Sequence, residues 1–406
     1  MFYSLNNNVY LVDGTARSCI YDFNRSKLYS INNLLAKKID LANQGKIRIG
    51  AIASNLENVF DRLIELGIII KTTEPIFHQI DEIKMDKNVP DFAWIEITNK
   101  CNLKCVHCYN ESDAHCDTVM SVENFKIVID GLLNLGIRRV QIIGGEPFID
   151  KSALRKMLEY IVGKFEFIEI FTNGTLIDSE WVDFLSENDI HIALSVYSYD
   201  ATVHDKVTGS KGSWAKTNAT IEKLKLHGVE YRVCNILMKD VCLGERTTDL
   251  YRLSEEKDIV RMSGRANFSL LSDDLIRKKL ITKKSFSNPI NRYFAARMLS
   301  GHNCFKNKLY IAANMEVFPC VMERRLKHCT ISEDETIKLN KTILDFGKNR
   351  INECKQCEYR YACFDCRPNS LSGNLLEKPW YCTYNPSTGE WANEEIFIRN
   401  LKEKWE

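Results

Sequence analysis

The run Cys101-Asn102-Leu103-Lys104-Cys105-Val106-His107-Cys108-Tyr109 follows directly on the apolar stretch Phe92-Ala93-Trp94-Ile95-Glu96-Ile97. Its three thiols are separated by three and then two residues. Three thiolates hold three corners of a four-iron cluster and leave the fourth iron open to a reactive ligand, whereas closed clusters and structural zinc sites use four ligands. A zinc site borrowing a distant Cys or His, or plain reduced thiols, would give the same spacing, so the surrounding sequence has to decide.

Outward from the cysteines, strand-like and helix-like segments alternate from residue 90 to about residue 270. Expected strands are 94–98, 139–143, 167–171, 191–196, 231–237 and 259–262, and helical period appears in 121–135, 151–164, 179–187 and 213–227. Such alternation argues for a parallel sheet with crossover helices, and in α/β barrels ligands sit at the C-terminal ends of the strands. Several chemistry-bearing motifs fall there. Gly144-Gly145-Glu146-Pro147 ends the second strand: the glycines allow close backbone approach, and Glu146 can pair with an ammonium or orient the turn. Thr172, Asn173 and Ser195, at the ends of the third and fourth strands, suit a ribose or carboxylate, although each alone is more often a helix cap.

In this order the motifs resemble the radical S-adenosylmethionine superfamily over about residues 90 to 300. The resemblance implies that the open iron chelates the methionine amine and carboxylate and that one electron splits the sulfonium to a 5'-deoxyadenosyl radical. It places Gly144, Gly145, Glu146 and Pro147 at the methionine amino group and His107 near the adenine rather than on iron.

Bulk properties fit. The 406 residues suit two or three domains. With 55 basic and 54 acidic side chains the net charge is +1, so no nucleic-acid partner is expected. No apolar run is long enough to span a bilayer and residues 1–8 lack a signal-peptide pattern, so a cytoplasmic protein with no membrane partner is expected. Fifteen cysteines in such a chain argue for metal sites or catalysis rather than disulfides. Cys19, Cys116, Cys234, Cys242 and Cys329 fall outside the obvious sets and read as ordinary thiols.

Residues 1–85 show three short strands, 9–12, 18–23 and 27–31, then helical spacing at 32–42 and 56–66. Strands followed by helices suggest a winged-helix-like unit, similar to the recognition elements that add a leader peptide to a sheet edge in peptide-modifying enzymes. A packing or dimerisation domain is the plain alternative. Residues 71–89 read as a polar bridge.

Downstream, Cys354-Lys355-Gln356-Cys357, then Cys363-Phe364-Asp365-Cys366 and Cys382, follow Cys304 and Cys320. Paired CxxC units also build zinc ribbons. The array resembles the SPASM extension, which implies two auxiliary four-iron clusters, three in all. In that pattern Cys354, Cys357, Cys363 and Cys382 enclose one, and Cys304, Cys320 and Cys366 hold the other. The fullest pattern has a further cysteine before Cys304, absent here. An open or substrate-filled iron is therefore expected, ahead of Cys329 as a replacement ligand.

The implied fold is an α/β partial (β/α)6 barrel at 90–300, with a winged-helix-like peptide-recognition domain at 1–85 and a cysteine-rich SPASM extension at 301–406. The stretches Gly14 to Arg25 and Pro319 to Arg325 are similar to the grasp-with-spasm peptide maturases. That resemblance implies an oxidative crosslink, thioether, C–C or C–O, in a ribosomally made precursor peptide whose leader binds residues 1–85. An ATP-grasp ligase partner and an external electron donor are implied as well. Two other readings stand beside it: an anaerobic sulfatase-maturating, formylglycine-forming enzyme, and a zinc-binding peptide scaffold. No catalytic acid or base is assigned, and the peptide, the crosslinked residues and the oligomeric state stay open.

Overall fold

The structure, a computed structural model, describes residues 1–49, 54–85, 90–241, 243–244, 258–334, 336–367 and 373–405; Cys242 lies outside the described residues. The chain packs as two compact units, Met1–Lys87 with Leu280–Asn303 and Asp345–Glu406, and Asn88–Lys279 with Cys304–Leu344. Packing units and sequence domains are different divisions: residues 304–344 pack with the barrel, although the resemblance counts them with the C-terminal extension.

The first unit opens with β1 (Phe2–Leu5), β2 (Val9–Val12), β3 (Arg17–Asp22), β4 (Lys27–Asn32), α1 (Asn33–Asn43), α2 (Ser54–Glu65) and β5 (Ile69–Thr72). Strands β2, β3 and β4 form an antiparallel sheet, and β1 pairs with β5. Asn32 starts α1 by accepting a hydrogen bond from the Leu35 N–H. Alternation along β3 sends Ile20 to one face, where it packs with Ile39, Phe60 and Leu63. Cys19 and Tyr21 go to the other, where they meet Ala296, Leu299, Tyr359 and Tyr384. Both faces are covered, which is why 18–22 read as continuously buried rather than alternating.

The second unit runs β6 (Phe92–Glu96), α3 (Val122–Asn134), β7 (Arg139–Ile143), α4 (Lys151–Ile161), β8 (Phe167–Thr172), α5 (Ser179–Glu187), β9 (His191–Ser195), α6 (Ala201–Thr208), α7 (Ser213–Leu226) and β10 (Tyr231–Cys234). These five strands are parallel neighbours in sequence order. Ile95, Ile142, Ile170 and Ile192 stand side by side across them, at most 1% exposed, and form a row of the main core. The next residues back, Trp94 and Gln141, line the cavity instead. The expected fifth strand ends in β11 (Ile236–Leu237), and the expected sixth is reduced to β12 (Asp258–Ile259), which pairs with it in parallel. On the other edge β6 gains β13 (Lys308–Ile311), also parallel, followed by antiparallel β14 (Glu316–Phe318) and β15 (Cys329–Thr330). The partial barrel is thus part of an eight-stranded sheet. Among the described residues no helix is long and apolar enough to cross a membrane.

Candidate functional site

The cysteine loop leaves β6 and is pinned along its length. The Lys104 and Val106 N–H groups donate to the Thr208 and Val207 carbonyls, both at 3.0 Å, which lays the loop against the end of α6. Arg265 donates to the carbonyls of Ser112 at 2.9 Å and Cys105 at 3.5 Å, and pairs with Asp113 at 3.3 Å. Beside it Gly264 has φ +59°, and a Cβ there would lie 2.4 Å from the Cys108 carbonyl oxygen, so only glycine fits. Sequence reasoning missed both residues, since one Arg and one Gly past the last strand carry no motif.

Cys101, Cys105 and Cys108 open onto one cavity of about 270 Å³, shared with His107, Gly144, Gly145, Thr172, Asn173 and Ser195. Burial pushes the Cys101 and Cys105 thiols up to about 12, and neighbouring thiols add to the rise. Ionising such a set needs a cation among the sulfurs, which is the chemistry that bound iron supplies. Among the described residues no three His, Cys, Asp or Glu side chains converge tightly enough to hold a single metal ion. A four-iron cluster spreads its thiolates wider than one tetrahedral ion does.

His107 is 9% exposed, its Nδ1 has no hydrogen-bond partner, and its ring meets Tyr197 edge-on at 4.8 Å. Burial lowers its pKa to about 4, so the ring is neutral. An orphaned polar atom on the cavity wall suits a polar, planar ligand. Tyr197, also missed from sequence, hydrogen-bonds Ser195 and Cys105 and thereby ties the fourth strand to the cysteines.

The glycine pair lines the cavity and also packs closely on the chain that leads into the cysteine loop. A Cβ on Gly145 would lie 2.2 Å from the Lys100 carbonyl oxygen, and one on Gly144 would lie 2.4 Å from that of Thr98. The Gly145 and Glu146 N–H groups donate to those same oxygens at 2.7 and 2.8 Å, so the turn splints the entry to the cysteine loop. Glu146 and Pro147 are buried and do not line the cavity. The Glu146 carboxylate accepts from the Phe148 N–H, the Thr172 hydroxyl and the Asn173 N–H. Of its two sequence-based roles, orienting the turn is the one the geometry provides. Asn173 in turn donates to Asn102 at 3.0 Å and faces the Cys101 sulfur at 3.9 Å.

Gln141 lines the cavity beside Trp94 and bonds to Glu169. Arg232 makes two 2.7 Å bonds to the same Glu169. Cys234, read from sequence as an ordinary thiol, lines the same cavity, with its sulfur 3.0 Å from the Arg232 guanidinium.

In the first unit Cys354, Cys357, Cys363 and Cys382 line one small cavity of about 30 Å³. Burial raises the first three thiols, and the charges of their partners raise them further. Four sulfurs around one space, with Cys354 buried and the other three half-buried, are a donor set that fits a cluster. Cys304 and Cys320 belong to the second unit, where burial and then Cys304 raise the Cys320 thiol; Cys366 belongs to the first. Cys329 sits on β15, partly packed against the barrel core, with Lys338 and Lys327 as its charged neighbours.

Residues 95–239 match the Radical SAM superfamily. The antilisterial bacteriocin subtilosin biosynthesis protein AlbA of Bacillus subtilis is 39% identical over 147 residues, 36% of this chain, and the chain spans 33% of that relative's length. Among solved structures, SuiB of Streptococcus suis superposes with a TM-score of 0.50 at 14% identity, covering 90% of this chain and 96% of SuiB. The enzyme anSMEcpe with bound AdoMet and Cp18Cys peptide gives 0.51 at 19% identity, covering 78% and 97%. At these identities the likeness is one of fold: an α/β partial barrel with small N-terminal sheets and a cysteine-rich C-terminal region.

Proposed function

Because residues 95–239 form a radical S-adenosylmethionine enzyme domain, we propose that the whole chain modifies a peptide, installing an oxidative crosslink in a ribosomally made precursor, in the manner of the grasp-with-spasm maturases. The observation that carries this reading is the shared cavity of Cys101, Cys105, Cys108, the Gly144-Gly145 turn and the unpartnered His107 Nδ1. With a four-iron cluster and S-adenosylmethionine bound there, the site supplies a 5'-deoxyadenosyl radical able to abstract a substrate hydrogen.

The chain's own residues supply position. Cys101, Cys105 and Cys108 hold the cluster, Arg265 and the glycine turn fix their loop, and His107 faces the adenine. Arg232 and Glu169 hold Gln141, which lines the cavity, in place. Cys354, Cys357, Cys363 and Cys382 would hold an auxiliary cluster, which would supply an acceptor for the second electron. The sheet of β2, β3 and β4 has β4 as an edge, to which a leader peptide adds as a strand. An ATP-grasp ligase acting on the same peptide belongs to this reading. Relatives point the same way: AlbA is a bacteriocin biosynthesis protein, and SuiB has been seen with its precursor peptide SuiA.

The test is anaerobic incubation of the iron-loaded protein with S-adenosylmethionine, a reductant and a candidate precursor peptide, read by mass spectrometry. A product lighter by two hydrogens supports the crosslink. Conversion of a peptide Cys or Ser to formylglycine supports the sulfatase-maturase reading instead, which the likeness to anSMEcpe favours. Deoxyadenosine with an unchanged peptide would defeat the choice of substrate, and stoichiometric zinc in place of iron would defeat the radical chemistry.

A further inference from the structure

Lys348 is 1% exposed, with its ammonium 3.3 Å from the Cys363 sulfur and 2.6 Å from the Asp365 carboxylate. Asp365 also pairs with Arg367, itself 2% exposed, and its backbone carbonyl meets His302 Nε2 at 3.1 Å. Lys348 and Arg367 thus meet the same carboxylate, and both act on Cys354 and Cys363. The buried Glu358 opposes them from the Cys357 side. For stability alone this is a poor use of a core position, since well-packed apolar residues replace buried ion pairs at little or no cost. A fixed charge pointed at sulfur has a different use.

We infer that Lys348 sets the reduction potential of an iron–sulfur cluster held by Cys354, Cys357, Cys363 and Cys382, making that cluster a readier electron acceptor. The inference rests on the auxiliary-cluster reading proposed above. Reduction adds one electron to the cluster, and no bond forms or breaks in that step. A donor hydrogen bond to a ligand sulfur and a nearby positive charge both stabilise the more negative, reduced form. The dry surroundings leave that charge weakly screened. Asp365 partly cancels it, so the two side chains should move the potential in opposite directions. A residue that merely filled space or held the loop would not do that.

The experiment is an EPR-monitored redox titration of the full chain, anaerobically loaded with iron, in a background where Cys101, Cys105 and Cys108 are Ala. The auxiliary signal is identified by its loss in Cys357→Ala. Lys348→Met should shift its midpoint to a more negative potential, Asp365→Asn to a more positive one, and Lys348→Arg should stay near the parent. If Lys348→Met does not load iron, the Asp365→Asn shift and the Lys348→Arg control carry the test. A loaded Lys348→Met with an unchanged midpoint, or shifts of the same sign in both variants, overturns the role of Lys348 and leaves the cluster in place. A parent protein with no signal that Cys357→Ala removes overturns the auxiliary-cluster reading, and the inference with it.

Discussion

Replacing Glu146 with Gln probes how the end of β7 is held to the cysteine loop. The carboxyl is fully buried: one oxygen accepts from the Phe148 N–H at 3.0 Å and the Thr172 hydroxyl at 2.7 Å, the other from the Asn173 N–H at 2.8 Å. Burial raises its pKa from 4.5 to about 7 against the pull of these three donors. The folded protein therefore holds this proton more tightly than the unfolded chain does. The resulting stability is fully present below about pH 4.5 and is lost as pH rises through about 7, a change of about 3 kcal/mol. The Gln variant lacks this titration. A protonated carboxyl can donate to the Thr172 oxygen and still accept from the Phe148 N–H, whereas an amide nitrogen cannot accept. At about pH 5 the variant should therefore be less stable by ~1–3 kcal/mol, the cost of one unsatisfied buried donor. By about pH 8 the wild type has lost a similar amount, so the two curves should converge or cross. The assay is urea unfolding of the iron-free chain followed by circular dichroism across that pH range; histidine titrations are common to both proteins and cancel in the difference. A stability gap that does not vary with pH would refute the reasoning, because Glu146 would then keep one charge state throughout.

Three further outcomes follow from the site. Cys105→Ala should abolish deoxyadenosine formation while Cys116→Ala leaves it intact, because the Cys116 thiol lies by Asp113 and off the cavity; full activity of the first variant would sink the cluster assignment. Arg265→Met removes the donors to the Cys105 and Ser112 carbonyls and should destabilise the loop by ~1–3 kcal/mol, seen as lower iron per chain after desalting; unchanged iron retention would mean the clamp is redundant. His107→Ala should weaken S-adenosylmethionine binding by about 3- to 10-fold, the worth of one net hydrogen bond. Equilibrium dialysis of the iron-loaded protein measures this, and equal affinity would remove His107 from the adenine side.

The tight spacing of Cys101, Cys105 and Cys108, the glycine turn and the period of the core strands are local properties, so they were legible without coordinates. A strand shows its buried face every second residue and a helix every third or fourth, and those rhythms located β6 to β10 and most of their helices. The alternation weakens beyond residue 237, and there the expected sixth strand shrank to Asp258–Ile259. β3 was visible as a strand, but its second covered face was not, because the residues that cover it lie some 270 to 360 positions away.

What sequence determined by itself is the chemistry: which thiols are spaced to share a cluster, and the alternating frame that carries them. What the tertiary structure decided is what each group does there. Lys308–Ile311 joins β6 as a parallel neighbour, Arg265 closes on the Cys105 carbonyl, and the Glu146 carboxyl accepts from Thr172 and Asn173. These contacts join residues far apart in the chain, between side chains with no period of their own. Hydrogen bonding and burial select them only once the backbone has brought the partners within about 3 Å.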